Sequence, residues 1–159
     1  MSALRWSAPI PLLVALTACG GSGSSPTAPS PPTSFLTGTW RGTLTAQVNP
    51  GDPDAQPEVS GPVQWTFEPV AGTNLQSFRT TVQAQHPWFA AAASGSTTLT
   101  PGNAPPASIS TLGGFDSPRG CRGTFGSVGT AQATRIEADF TGTDCQSSTF
   151  TGRVVLTKQ

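Results

Sequence analysis

A chain of 159 residues holds one domain. Only 10% of its residues are charged, and eight basic side chains balance eight acidic ones. The surface therefore lacks the Lys/Arg excess that a nucleic acid or an anionic membrane requires. Eighteen glycines and sixteen prolines favour turns and strands over helices.

The chain opens with Arg5 as a positive flank and an apolar run from Pro9 to Ala18. That run is about half of the roughly 20 residues that span a bilayer, so it reads as an export signal. It ends in Leu16-Thr17-Ala18-Cys19-Gly20. This pentapeptide resembles the lipobox of bacterial lipoproteins. The resemblance implies that residues 1–18 are removed as a signal peptide and that Cys19 carries diacylglycerol. An ordinary signal peptide, leaving a free thiol on Cys19, is the alternative. Each buried CH₂ contributes about 0.8 kcal/mol, and the two or three chains of a lipoprotein cysteine give stable attachment. Cleavage would also remove Arg5, leaving seven basic residues against eight acidic. In such families Asp after the cysteine favours retention at the inner membrane; Gly20 implies the outer membrane, where the organism has one.

Residues 19–34 then form the lipidated cysteine and a Gly/Ser/Pro linker. Its segment GGSGSSPTAPSPPT has nothing apolar larger than Ala and cannot bury enough surface to offset chain entropy. Its expected reach is roughly 20 Å.

The folded domain is expected over 35–159. Trp40, Gly42, Leu44, Ala46 and Val48 alternate with polar residues, the period of a strand with one face inward. Residues 49 to 61, rich in Pro, Asp and Gly, read as a loop. Val63, Trp65 and Phe67 form a second run, and Phe78, Thr80, Val82 and Ala84 a third. Between 88 and 100 the pattern is mixed. Residues 88–93 suit the start of a short helix, whereas Thr97, Thr98 and Leu99 suit a strand. Further runs follow at 107–112, at 122–128 with Phe125 inward, at 134–141 with Ile136, Ala138 and Phe140 inward, and at 150–157 with Phe150, Val154 and Leu156 inward.

Eight short runs with Gly-containing breaks predict an all-β, single antiparallel domain. An eight-stranded up-and-down barrel suits them best because closure removes exposed edges; a β-sandwich is the alternative. Gly38-Thr39-Trp40, at the head of the first run, resembles the G-x-W motif of lipocalins and related calycin barrels. The resemblance implies that Trp40 closes one end of the barrel and that an Arg of the last strand, here Arg153, packs across it. Thr143-Asp144 resembles the second family motif only in part, since Cys145 replaces its usual aromatic. The same tripeptide also suits a core tryptophan of another β fold.

Cys121 and Cys145 remain after lipidation. In an exported protein they are expected to pair, because they flank one antiparallel hairpin. The closed loop would contribute about 3 kcal/mol. Two thiolates without a nearby histidine make a poor zinc site, and neither metal nor cofactor is expected.

Little else suggests chemistry. The single histidine, His86, precedes Pro87 and Trp88, and no serine sits in a G-x-S-x-G elbow. Asp52, Asp54 and Glu58 share a loop without calcium-loop spacing. Glu137 and Asp139 alternate with inward residues and should face solvent. Trp40, Trp65, Phe67, Phe78, Phe125, Phe140 and Phe150 all fall on inward positions, which points to a filled interior. Trp88 and Phe89, outside a clear run, would line a mouth or partner site. The expected function is non-enzymatic: a membrane-anchored lipoprotein whose barrel binds a small apolar ligand. The alternative is a solid-core structural lipoprotein with an envelope protein as partner.

Overall fold

The computed structural model describes residues 33–49, 55–85, 92–117, 120–144 and 148–159. They form eight strands: β1 (Gly38–Val48), β2 (Gln56–Pro69), β3 (Ser77–Ala84), β4 (Ala92–Thr100), β5 (Ala107–Asp116), β6 (Arg122–Ala131), β7 (Arg135–Thr143) and β8 (Thr149–Lys158). Each strand pairs antiparallel with the next, and β8 closes onto β1. The fold is a closed up-and-down barrel, not a sandwich.

The local cause is strict alternation. β3 reads Ser-Phe-Arg-Thr-Thr-Val-Gln-Ala, and its inward members Phe78, Thr80, Val82 and Ala84 are buried while Arg79, Thr81 and Gln83 are exposed. Burying the apolar face fixes the register, because a one-residue slip would turn every side chain to the wrong side.

The register also sets the barrel's width. Paired residues lead from Gly38 to Phe67, Thr80, Gly95, Gly113, Phe125, Gly142 and Phe150, then back into β1 at Val48. The path returns ten residues beyond its start. Such a stagger tilts eight strands by about 40° and leaves an interior just wide enough for packed side chains or one small ligand. Closure bends the strands hard at two inward glycines. A Cβ on Gly42 would lie 1.8 Å from the Val155 carbonyl oxygen, and one on Gly129 2.0 Å from that of Glu137. Only glycine admits that approach.

Several elements are longer than the sequence suggests. Gln56–Gly61 belongs to β2 rather than to a loop. Pro62 survives within the strand because its carbonyl accepts from Gln85 N at 3.0 Å, which places its N side toward β3 at the point where β3 ends. The one bond proline cannot make, the reciprocal from residue 62 N to Gln85 O, falls just beyond the end of β3. Ala92 and Ala93 open strand β4 and are not part of a helix. β5 continues through Gly113 and Gly114 to Asp116.

Candidate functional site

The barrel's two ends differ. The connections β2–β3, β4–β5 and β6–β7 lie at the end where β1 begins. The segment 33–37 seals that end. Thr37 N donates to Ser34 O at 3.2 Å, turning the chain, and Leu36 N donates to Ser34 Oγ at 3.2 Å. Ser34 Oγ also hydrogen-bonds Asn103 Oδ1. Leu36 is fully buried. Gly38 then takes φ of 111°, which favours glycine as the chain swings into β1. Trp40, fully buried, donates from Nε1 to Leu36 O at 2.8 Å. Its ring meets Phe67 edge-on at 6.5 Å. Phe78, Leu99, Ile109, Ile136 and Leu156 complete this layer of the core.

Arg153 does not pack across Trp40. Val154 and Leu156 point inward, so Arg153 points outward, where its Nη2 donates to Glu137 Oε2 at 2.5 Å. The cation above Trp40 is Lys158: its Nζ lies 5.7 Å from the ring centroid and donates to Phe35 O at 2.5 Å. Glu137 also accepts from Arg135 Nε at 2.6 Å. Hydrogen bonds from Arg135 and then Arg153 hold its carboxyl below the usual range.

At the opposite end the interior is lined by four phenylalanines from four consecutive strands: Phe115, Phe125, Phe140 and Phe150. Phe125 stacks on Phe140 at 5.4 Å, Phe140 on Phe150 at 5.5 Å, and Phe115 meets Phe150 edge-on at 6.0 Å. Glycines sit opposite the rings in register: Gly113 with Phe125, Gly123 with Phe115, Gly142 with Phe150. A Cβ on these glycines would fall 2.7, 2.3 and 2.1 Å from ring atoms. Each ring therefore lies down on the neighbouring strand instead of reaching across the barrel. The facing wall carries small residues, among them Ala46, Ala84 and Ala93. Between the two walls is a cavity of about 10 Å³, lined by Leu44, Trp65, Val82, Ala84, Ala93, Phe125 and Phe140.

Inward hydroxyls cross the barrel wall one step deeper. Thr80 Oγ1 lies 2.5 Å from Thr97 Oγ1, which lies 2.7 Å from Thr111 Oγ1. Ser127 is paired in register with Thr111 on one side and Phe140 on the other. It is 3% exposed, and its Oγ has no hydrogen-bond partner. The sequence names Thr80 in an alternating run, but nothing in it marks these four side chains as a polar row.

Cys121 lies immediately ahead of β6, and its sulfur is 3.5 Å from Asp144 Oδ1. Asp144 N donates to Ser148 O at 2.8 Å in the β7–β8 connection. Cys145 lies outside the described residues, as do Cys19, Asp52, Asp54, His86, Trp88 and Phe89. Glu58 is exposed on β2, and Asp139 on β7. No group of three His, Cys, Asp or Glu side chains able to hold a metal occurs among the described residues. No described helix is long and apolar enough to cross a membrane.

No protein-family model and no curated protein matches the chain. Among solved structures it is similar to EF1p2_mFAP2b bound to DFHBI, with a TM-score of 0.50 and 17% identity over 79% of this chain and 94% of that one. The likeness is one of fold: a small closed barrel.

Proposed function

We propose that this protein is a lipoprotein of the bacterial envelope, anchored through lipid on Cys19, whose barrel holds a small apolar ligand without catalysing a reaction. The observation that carries the ligand reading is the end lined by phenylalanine. Phe125, flattened onto Gly113, and Phe140 face Ala84 and Ala93 across a cavity, and Ser127, a buried hydroxyl without a partner, is the register neighbour of Phe140. The fold neighbour is described as bound to DFHBI, so this fold class accommodates a ligand in at least one case. Rotation of Phe125 and Phe140 makes room, at a packing cost that the ligand's own burial offsets. The anchor rests on the lipobox resemblance at 16–20. A Cys121–Cys145 bridge would tie the β5–β6 connection to the end of β7 and steady the same end of the barrel.

A second reading has its own support. A space of about 10 Å³ admits one water at most, as expected of a solid-core interaction protein. Native mass spectrometry of the mature protein, recovered from membranes of its producing cells, separates the two. A lipid-modified polypeptide starting at Cys19 and retaining an extra small-molecule mass supports the carrier. A lipidated protein with no retained mass, together with a protein partner crosslinked in intact cells, supports the solid core. A chain with no lipid on Cys19 removes the anchor from either account.

A further inference from the structure

Within the ligand-binding reading, on which this inference rests, the chemistry of the ligand is written in the hydroxyl row. Three hydroxyls, Thr80, Thr97 and Thr111, share two hydrogen bonds. Each hydroxyl carries one proton, so the row spends two of its three protons on its own bonds. Ser127 Oγ adds another proton with no acceptor in reach. The hydroxyl oxygens of the row can also accept, but the Ser127 hydroxyl proton stands unmatched in the interior. A buried, unmatched donor costs about 1–3 kcal/mol, and a ligand group that satisfies it recovers that cost.

The other walls narrow the ligand further. Phe125 and Phe140 stack 22° apart, so when the pair turns aside together a flat ring can lie against the face of Phe125 that Phe140 leaves open. All remaining residues lining the cavity are apolar. No Asp, Glu, Arg or Lys is among them, and an unpaired charge placed there would be strongly disfavoured. We propose that the interior row ending at Ser127 is the polar anchor of the ligand site, and that the ligand is a neutral, planar, largely apolar molecule with one hydrogen-bond acceptor, such as a carbonyl, directed at Ser127 Oγ.

Two probes of one skeleton test this: 1-indanone, which has a carbonyl, and indane, which lacks it. Binding is measured by calorimetry on the full chain carrying Cys19→Ser, which keeps lipid and detergent out of the assay, with and without Ser127→Ala. The proposal expects 1-indanone to bind about tenfold tighter than indane. It expects Ser127→Ala to abolish that preference while leaving indane binding intact. It also expects the carbonyl stretch of bound 1-indanone to move to lower frequency, and to move back in Ser127→Ala. Because Ser127→Ala removes an unmatched buried hydroxyl, the free barrel should melt no lower than before, so loss of the preference is not loss of fold. If both probes bind but the carbonyl brings no preference, the polar anchor is wrong and the ligand site stands. If neither binds at any concentration up to its solubility, the ligand site and the anchor both fail.

Discussion

The two ends of the barrel solve the same problem, covering an apolar interior, by different means. At the Trp40 end a contiguous piece of chain does the work. Residues 33–37 fold under the strands, Leu36 fills the opening, and its carbonyl accepts the Trp40 indole N–H. Lys158, from the far terminus, covers the ring and holds Phe35 O. Both termini of the barrel are thus fastened across one plug. At the phenylalanine end the rings lie flat against their own wall, opposite alanines, and a cavity remains. The sealed end holds large, fully buried side chains under a plug of chain. The phenylalanine end holds rings that lie along the wall, a small cavity and a buried hydroxyl without a partner.

The comparison is broken most severely by Trp40→Ala. Removing a fully buried indole should cost near the top of the ~3–5 kcal/mol range for such truncations. That is a large share of a small domain's stability. Urea denaturation would show it as a lower midpoint with little change in slope. Phe125→Ala removes one ring from the opposite end and should cost nearer the bottom of that ~3–5 kcal/mol range. It should also tighten indane binding, since room for the ligand then exists without moving a ring. Equal costs at the two ends, with no gain in binding, would erase the distinction drawn here.

A finer contrast separates two cations of β8. Lys158→Met should lose about 1 kcal/mol, from one hydrogen bond and one cation–π contact, and Arg153→Met should lose less. The reverse order would restore Arg153 as the residue that closes the barrel. The smallest effect belongs to Glu137→Gln on the outer wall. The carboxyl's pKa in the folded state lies below its unfolded value, so its stabilising contribution is present above the ordinary carboxylate range. It is lost as pH falls through the lowered value. Thermal melts of the two proteins should therefore differ slightly at neutral pH and converge in acid, and salt should shrink the difference.

How much of this was legible in the sequence follows from physical cause. Period-two alternation placed Trp40, Trp65, Phe67, Phe78, Phe125, Phe140 and Phe150 inward, and all seven are buried. It worked because one face of every strand meets the core and the other meets water. The same parity argues against Arg153 beside Trp40: with Val154 and Leu156 inward, residue 153 must face out, whereas Lys158 shares their face. Resemblance to a motif pointed to the wrong cation, and counting by two would have found the right one. Strand ends were concealed where glycine and proline carry a structural duty. Gly113 reads as a break, yet it continues β5 because the Phe125 ring lies on it. Residues 56–61 read as a loop, yet they belong to β2. The hydroxyl row was invisible for another reason. Thr80, Thr97, Thr111 and Ser127 are far apart in the chain, and only the register brings them together.

The most direct test of the unequal ends is a side-chain NMR titration of the full chain carrying Cys19→Ser with 1-indanone. The account predicts shifts concentrated on Ala84, Ala93, Phe125, Phe140 and Ser127, with Leu36, Trp40 and Leu156 unmoved. Shifts centred on the Trp40 end, or on outward residues such as Leu112 and Val128, would contradict it.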